Sequence, residues 1–307
     1  MTTALVIANA DAGSSDNAVL SAALETLRPA WEVEVAQTSD ADDLREALEA
    51  HADADVVVVA GGDGSLHACV QALWSLDRLK GATLALLPMG TGNDFARTLG
   101  LAEDPVEVAR GLTSAAARPI DLAVDDDDHV VVNAVHVGVG AEAGAEAGPW
   151  KRRLGPLGYA VSAFKAGVVG SPTRLHVTVD GELVDHGDDV VQAAVGVGRY
   201  VGGGAPLLPD AEPGDGLLDV TISHANLRHR RLAYGLGLLR GRHTERDDVV
   251  VTRGRKVTIA GDAMTWNADG ETGDGMRERT WTVVPGAYLL LIPSSDEAAD
   301  ESARNLP

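Results

Sequence analysis

The sequence predicts an α/β domain built on a parallel sheet, followed by a mainly antiparallel β-sandwich domain. Up to about residue 120, short β-branched runs alternate with amphipathic helical patterns, the rhythm of βαβ crossovers. From about residue 126, β-rich segments follow one another with few helical patterns between them. At 307 residues the chain is long enough to form two hydrophobic cores.

The first domain is predicted to span residues 1–125. Its third strand is a continuous apolar run, so we expect both faces of that strand to be buried. Asp16 is placed to cap the first helix. The predicted strands cover 5–7, 33–36, 56–60 and 83–87, and the predicted helices cover 16–27, 42–50 and 65–76.

The second domain is predicted to span residues 126–285. Asp180-Gly181 and Asp269-Gly270 are typical of tight hairpin turns. Residues 294–307 are polar and acidic overall, and we expect them to form a disordered tail. The predicted strands cover 130–137, 174–179, 189–197, 217–222, 249–259 and 280–284.

Two glycine-rich turns follow the third and fourth predicted strands. The first reads GGDGS at residues 61–65, and the second reads GTGNDFAR at residues 90–97. Backbone amides at such strand-to-helix turns can bind an anion, and the helix N-terminus adds positive potential. We therefore expect one phosphate site at the carboxyl ends of the strands. The carboxylates of Asp63 and Asp94 favour a metal ion between protein and phosphate.

Both turns resemble signatures of one enzyme family. The first resembles the GGDGT motif of diacylglycerol kinase catalytic domains, sphingosine kinases and NAD kinases, with Ser65 in place of threonine. The second resembles the GTxNDFAR motif of the lipid-kinase branch. The resemblance implies an ATP- and Mg²⁺-dependent lipid kinase, a phosphotransferase with an alcohol acceptor, acting in the cleft between two domains. It also implies that residues 286–293 return to the first domain.

The resemblance assigns roles to three acidic residues. Asp63 would hold Mg²⁺ or orient the acceptor hydroxyl, although it is also placed as a simple helix N-terminal carboxylate. Asp121, in the sequence PIDL, would contact the catalytic Mg²⁺ through water, whereas an isolated aspartate here is usually a turn residue. Glu271, in the sequence DGE, would be the general base, with a pKa that burial would need to raise. A plain Asp-Gly hairpin explains that sequence locally as well, and the choice between Asp63 and Glu271 as the base stays open.

Nucleotide contacts follow from the same resemblance. Asn93 could equally be an N-cap, and Arg97 could contact phosphate or pair with Asp94. The opening loop reads NADAG instead of the family's N-P-x-[SA]-G, so the contact expected from Asn9 lacks the usual proline. The expected nucleotide-binding residues are Asn9, Gly61, Gly62, Gly64, Ser65, Gly90, Thr91, Asn93 and Asp94.

A second metal site is implied farther along the chain. The triple glycine at 202–204 and the sequence DGLLDV at 215–220 resemble a family loop that binds a structural Mg²⁺. Asp215 would be its carboxylate ligand, and Leu217 the candidate for a backbone carbonyl ligand. Asn133 matches a further family position.

The composition limits which classes of partner the protein can bind. The net charge is −21, from 46 acidic and 25 basic residues. Nucleic acid is therefore excluded as a partner, because no extended basic surface can release counterions from phosphates. Only four residues are lysine, which favours adaptation to high salt over an ordinary acidic cytosolic protein. A single cysteine, Cys69, excludes an intramolecular disulfide and is expected in the core.

Two segments depart from the acidic background. Residues 150–153 read WKRR, and residues 226–243 carry five arginines and no acidic residue. Basic ends around an apolar middle suit an anionic bilayer surface, but a core-packing helix whose arginines pair with carboxylates explains them equally well. Since no signal peptide or membrane span is evident, we expect a cytoplasmic protein, peripheral to the inner face of the membrane, with a lipid substrate presented there. Its oligomeric state, a homodimer included, stays open.

Two other functions compete with the lipid kinase. An NAD kinase-like enzyme with a soluble acceptor would share the first glycine turn, but the second turn argues against it. A nucleotide-binding regulator without catalysis would explain the altered opening loop, but Asp63, Asp121 and Glu271 argue against it. The acceptor itself is open among diacylglycerol, an isoprenoid ether lipid, a sphingoid-like base and a polyprenol.

Overall fold

The computed structural model describes residues 1–10, 13–138, 172–185, 187 and 189–293. The chain divides into two compact units. Of the described residues, unit 1 contains those within Met1–Ile120 and 286–293, and unit 2 contains those within Asp121–Pro285. The basic sequence at 150–153 and the acidic tail at 294–307 lie outside the described residues. No helix in the described part of the chain is long and apolar enough to cross a membrane.

Unit 1 is a parallel sheet with helices packed on it, which confirms the predicted α/β domain. The strand order is β14-β4-β3-β1-β2, and Leu289 of the last strand pairs in parallel with Thr83. The elements are β1 (Thr2–Asn9), α1 (Ser14–Leu27), β2 (Trp31–Thr38), α2 (Ala41–Ala50), β3 (Val56–Gly61), α3 (Asp63–Ser75), β4 (Thr83–Pro88), α4 (Asp94–Thr98) and α5 (Pro105–Leu112), with the end of β14 (Glu271–Ile292).

The core of unit 1 follows the apolar runs of its strands. Val58 and Val59 of β3 are completely buried, as the continuous run predicts. Helices α1 and α5 pack on one face, where Leu24 and Leu112 join the strand residues. Cys69 of α3 is also completely buried, and this burial raises the pKa of its thiol to about 12. It is therefore a core residue, as expected.

The start of α1 differs from the prediction. The helix begins at Ser14 with Gly13 at the N-cap position, and Asp16 lies inside the first turn. The predicted capping by Asp16 is therefore wrong. Its carboxylate still lies where the positive end of the helix stabilises negative charge.

Unit 2 is a mainly antiparallel sheet, again as predicted. Strands β12, β11, β10, β7, β13 and β14 follow one another in space, and the β8–β9 hairpin is joined to β13. The elements are β5 (Ala116–Asp125), β6 (Val130–Val131), β7 (Ala134–Gly138), β8 (Leu175–Val179), β9 (Glu182–Asp185), β10 (Gln192–Gly196), β11 (Leu218–Ser223), α6 (Arg228–Leu238), a 3₁₀ turn (His243–Glu245), β12 (Val249–Gly254), β13 (Lys256–Ala268) and β14.

Both Asp-Gly dipeptides form the expected hairpin turns. Asp180 and Gly181 have φ values of 51° and 87°, and Asp269 and Gly270 have values of 50° and 98°. Positive φ at both central residues is the type I′ geometry that matches the twist of the flanking strands. The first turn joins β8 to β9, and the second joins β13 to β14.

The two faces of the unit 2 sheet are buried differently. One face is apolar and includes Val135, Val195 and Trp281. The other carries buried polar side chains, among them His136 and Gln192. Helix α6 covers this second face, where the Tyr234 hydroxyl lies 2.8 Å from the Gln192 side-chain oxygen and donates to it.

Candidate active site

The two glycine turns lie side by side at one edge of the unit 1 sheet. Gly61 ends β3 and pairs in register with Pro88, which ends β4. The neighbouring strand β1 ends at Asn9, one residue beyond the pair that Ala8 forms with Ala60. The carboxyl ends of three strands therefore place Asn9 and both turns at the same edge, as the sequence predicts for a phosphate site.

Glycine is required where the turns touch. A Cβ atom on Gly62 would lie 2.8 Å from the Gly90 Cα atom, and one on Gly90 would lie 2.5 Å from the Gly62 Cα atom. A Cβ on Gly61 would collide with the Ser65 side chain. A Cβ on Gly64, by contrast, would meet no atom within 4 Å. Gly61, Gly62 and Gly90 therefore serve packing within the fold, whereas Gly64 leaves backbone open to a ligand.

Asp63 connects the two turns. It is the first residue of α3, and its carboxylate accepts the N–H groups of Asp94 (3.0 Å) and Phe95 (2.9 Å). These are the first amides of α4, which would otherwise need partners. Asp63 thus caps α4 with negative charge, and it also lies in the first turn of its own helix, as the alternative interpretation expects.

Asn93 shapes the second turn from within. It is in the left-handed conformation, with φ 49° and ψ 42°. Its Oδ1 accepts the Gly90 N–H, and its Nδ2 donates to the Gly90 carbonyl oxygen, both at 2.9 Å. Although it stands at the N-cap position, its side chain makes no capping bond to α4. The N-cap interpretation of its side chain is therefore wrong.

A cavity of about 560 Å³ opens beside the second turn. This volume is typical of small-molecule sites. Arg97 lies in the lining and forms an ion pair with Glu103 at 4.0 Å. Six of the predicted contacts are not part of the lining: Asn9, Gly61, Gly62, Gly64, Ser65 and Asp94. The lining residues are Asp16, Val19, Pro88, Met89, Gly90, Thr91, Gly92, Asn93, Ala96, Arg97, Gly100, Leu101, Ala102, Glu103 and Pro105.

The carboxylates at the two glycine turns fit Mg²⁺ chemically. That ion takes oxygen ligands and is usually held by one or two carboxylates together with substrate phosphates and water. Asp63 and Asp94 supply carboxylates at adjoining turns, and Asp94 is only 6% exposed. Each oxygen of Asp63 accepts one N–H and keeps a second lone pair. Among the described residues, no three His, Cys, Asp or Glu side chains form a metal-binding group, so such an ion would depend on phosphate oxygens.

Asp121 lies within unit 2, in the middle of β5, and is only 2% exposed. Its Oδ2 accepts the Gly216 N–H at 2.6 Å, and its own N–H donates to the Pro213 carbonyl oxygen at 2.9 Å. It is therefore a buried strand residue that anchors the loop before β11. The interpretation of Asp121 as a turn residue is wrong.

In the loop that was predicted to bind a structural metal ion, an arginine neutralises the carboxylate charge. Arg253 contacts the Asp215 carboxylate and also lies 3.1 Å from Asp219. The other Asp215 oxygen accepts the Leu217 N–H at 3.0 Å. A cation that needed the Asp215 carboxylate would have to compete with this guanidinium. The roles of Asp215 and Leu217 as ligands stay predictions.

Burial also perturbs Asp219. The residue is 4% exposed, and this desolvation raises the pKa of its carboxyl to about 6, although the neighbouring Arg253 opposes the shift. Burial moves the pKa of His136, which is 4% exposed, in the opposite direction. Desolvation lowers the pKa of its imidazole to about 4. On the buried polar face of unit 2, burial therefore shifts one carboxyl and one imidazole toward their neutral forms.

The sequence did not reveal the role of Asp269. Its carboxylate accepts three consecutive backbone N–H groups, those of Val132 (2.6 Å), Asn133 (3.0 Å) and Ala134 (3.1 Å). These amides are withdrawn from sheet pairing, which explains why the single strand predicted at 130–137 is observed as β6 and β7. The local Asp-Gly signal indicated a turn and contained no sign of this contact, which spans 137 residues.

Glu271 opens β14 immediately after this turn. It pairs in register with Ala268 and is exposed. The burial that we expected of a general base is therefore absent. Asn133, one of the three residues whose amides bond Asp269, is buried, and its Nδ2 donates to the Tyr200 carbonyl oxygen at 2.6 Å.

Comparison with known proteins identifies the family of this chain. Residues 3–124 match the family described as "Diacylglycerol kinase catalytic domain", and residues 133–292 match "YegS C-terminal NAD kinase beta sandwich-like domain". A "Diacylglycerol kinase" of Bacillus subtilis is 31% identical over 241 residues, which are 77% of this chain and 75% of that protein. A "Probable lipid kinase YegS-like" of Xanthomonas oryzae pv. oryzae is 32% identical over 293 residues, 92% of this chain and 94% of that protein.

A solved structure supports the same fold. The crystal structure of a diacylglycerol kinase from Bacillus anthracis str. Sterne superposes with a TM-score of 0.77 at 24% identity. The match covers 96% of this chain and 98% of that one. The chain therefore belongs to the family of bacterial diacylglycerol kinases and YegS-like lipid kinases, with a diacylglycerol kinase catalytic domain followed by a YegS-like C-terminal domain.

Proposed function

We propose that this protein transfers the γ-phosphate of ATP, with Mg²⁺, to a hydroxyl of a diacylglycerol-like or other membrane-derived lipid. Family membership supports a lipid kinase. The observation that carries the proposal is the pair of hydrogen bonds that the Asp94 and Phe95 amides donate to the Asp63 carboxylate, because these bonds hold the two glycine turns together.

Phosphoryl transfer requires positioned phosphates, neutralised charge and a base near the attacking hydroxyl. The joined turns meet the first requirement. Gly64 leaves backbone open, and Gly90, Thr91 and Asn93 line the adjacent cavity. Backbone N–H groups can approach phosphate oxygens at such turns, and the first amides of α3 add positive potential.

Bound Mg²⁺ would supply the second requirement by neutralising charge on the transferred phosphate. Asp63 and Asp94 would hold it in unit 1. Because two N–H groups already orient the Asp63 carboxylate, that ligand loses little conformational entropy when the ion binds. Asp121 is oriented in the same way by the Gly216 N–H within unit 2.

Glu271 would supply the base. Its backbone follows a turn that Asp269 clamps with three hydrogen bonds, so its position is fixed although its side chain is exposed. Exposure lets an acceptor hydroxyl reach the carboxylate. The names of the relatives favour diacylglycerol as acceptor.

The test is transfer of labelled phosphate from ATP into diacylglycerol micelles and, separately, into NAD, with Mg²⁺ or with EDTA. Glu271→Gln should lose transfer by at least about a hundredfold while remaining folded, because the residue is exposed. Its matched control is Glu278→Gln, an exposed residue on the same strand, which should remain active.

Mg²⁺-dependent label in the lipid that Glu271→Gln abolishes supports the proposal. Label in NAD and none in lipid overturns it in favour of a soluble acceptor. Binding of ATP without transfer to either acceptor overturns it in favour of a regulator. Equal activity of Glu271→Gln and Glu278→Gln overturns the role given to Glu271.

A further inference from the structure

Helix α6 presents an apolar stripe to solvent. Leu232, Leu236 and Leu239 are 43%, 43% and 55% exposed. Their spacing of four and three residues places them on one face of the helix. Three exposed leucines in a row are unusual on an acidic surface and indicate an interaction site.

The opposite face of α6 fixes how the helix is oriented. Tyr234 is 7% exposed and donates its hydroxyl hydrogen to the Gln192 side chain, and its ring meets His243 edge-on at 5.5 Å. Arg231 is 8% exposed and donates from Nε to the Ala225 carbonyl oxygen. Because the helix is anchored through this face, the three leucines cannot turn into the core.

Apart from the buried Arg231, the arginines of residues 226–243 divide into two groups. Arg230 pairs with Asp248 at 3.1 Å, and Arg242 pairs with Glu245 at 3.0 Å, as the core-packing interpretation expects. Arg228 and Arg240 are exposed, and neither forms an ion pair with any residue that the structure describes. They lie at the two ends of the leucine stripe.

We propose that α6 docks this protein on an anionic phospholipid bilayer. Leu232, Leu236 and Leu239 enter the interface between headgroups and acyl chains, while Arg228 and Arg240 contact lipid phosphates. This combination of a buried anchoring face, an apolar stripe and cationic ends is the pattern of interfacial helices. The docking goes beyond phosphoryl transfer and does not depend on the kinase function proposed above.

The charge of the whole chain is compatible with this docking. The net charge of −21 would repel an anionic surface at long range. Screening limits that repulsion to about 10 Å at moderate salt, so the cations closest to the bilayer dominate. Within residues 226–248, six arginines face three acidic residues, which leaves an excess of three positive charges.

A second copy of the chain fits the stripe less well. Two α6 helices packed antiparallel around a twofold axis would place Arg228 of one copy near Arg240 of the other. Like charges at such a contact are destabilising, and two acidic chains also repel each other. A bilayer phosphate complements both arginines.

The experiment is sedimentation of the full chain with vesicles of phosphatidylcholine alone or of an equimolar mixture with phosphatidylglycerol, without nucleotide. We expect binding to the anionic vesicles, weakened by salt. Leu232→Ser with Leu236→Ser should weaken it at least about tenfold, since each leucine loses its buried apolar area. Arg228→Gln with Arg240→Gln should weaken it and flatten its salt dependence. The matched control is Leu183→Ser on β9, 56% exposed, which should bind like the parent chain.

Equal binding by all these variants, or no binding to anionic vesicles, overturns the proposal. So does a concentration-dependent dimer, seen by light scattering, that only the α6 variants lose while vesicle binding is unchanged. Phosphorylation of a water-soluble short-chain diacylglycerol should be the same in the parent chain and in the α6 variants. That readout separates a failure of docking from a failure of the kinase.

Discussion

Replacement of Asp269 by asparagine tests whether one carboxylate holds together the segment before β7 and the turn before Glu271. Oδ1 accepts the amides of Asn133 and Ala134, and Oδ2 accepts the amide of Val132 at 2.6 Å. Asparagine tolerates the positive φ of 50°, so backbone strain is not introduced. The variant keeps one acceptor oxygen and puts an NH₂ group against the Val132 N–H.

The expected cost can be worked out from these contacts. Val132 is only 2% exposed, so its N–H finds no water when the Oδ2 acceptor is lost. An unpaired buried amide costs about 1–3 kcal/mol, and the remaining bonds lose their charge assistance. We expect the free energy of unfolding of unit 2 to fall by roughly 2–4 kcal/mol, which lowers Tm by about 5–15 °C for a unit of this size.

The second Asp-Gly turn provides the control. Asp180 has the same conformation, and its carboxylate accepts the amides of Arg255 and Lys256, both at 2.9 Å. It is exposed, so water replaces what asparagine loses, and Asp180→Asn should cost less than about 1 kcal/mol.

The assay is urea unfolding of each variant at constant salt, followed by tryptophan fluorescence, with phosphoryl transfer to diacylglycerol measured in parallel. Asp269→Asn should also lower transfer more than Asp180→Asn, because Glu271 follows the clamped turn. If the two variants unfold at the same urea concentration, the clamp does not stabilise unit 2. If Asp269→Asn is unstable but fully active, the turn does not position Glu271.

Two further predictions concern the glycine turns and the pH dependence of stability. Gly62→Ala should unfold at lower urea concentration and bind ATP poorly. Gly64→Ala should remain as stable as the parent chain and lose only ATP affinity. Equal stability of the two variants would contradict the contact between Gly62 and Gly90. The raised pKa of Asp219 makes the folded state bind its proton more tightly, so its contribution to stability falls as pH rises from about 4 to 6. The lowered pKa of His136 acts oppositely, so its contribution falls as pH drops through the same window. Relative to the parent chain, the urea midpoint should therefore change more positively with pH in Asp219→Asn and more negatively in His136→Gln, and slopes parallel to the parent's would refute both assignments.

Much of unit 1 could be predicted from the sequence because its signals are local. The run of valines in β3 is apolar at every position, which indicates a strand buried on both faces. Gly61 and Gly90 mark the ends of adjacent strands, and parallel pairing alone brings those ends together. The edge of the sheet and its turns follow from neighbouring residues.

The contacts that define the candidate site could not be predicted in the same way. Asp63 caps a helix that begins 31 residues later, and Asp269 binds amides 135 to 137 residues earlier. Nothing in the residues beside either aspartate encodes its partner. The segment 130–137 is apolar or β-branched at most positions, so the break between β6 and β7 is invisible until the clamp from Asp269 is known.

These aspartates also change how loss of activity must be interpreted. Asp63 has a proposed place at Mg²⁺, yet its observed bonds hold α4 to the neighbouring turn. An alanine at position 63 would remove the ligand and the helix cap together, so a loss of transfer would not identify a catalytic role. Asp63→Asn keeps one oxygen as acceptor for one of the two α4 amides and removes the charge that a metal ion needs. Asp104→Asn, at the N-cap of α5, removes a helix-capping charge at a residue outside the cavity lining, where a single amide is bound. Only if the Asp63 variant loses transfer while both variants remain equally stable does the chemistry belong to the carboxylate.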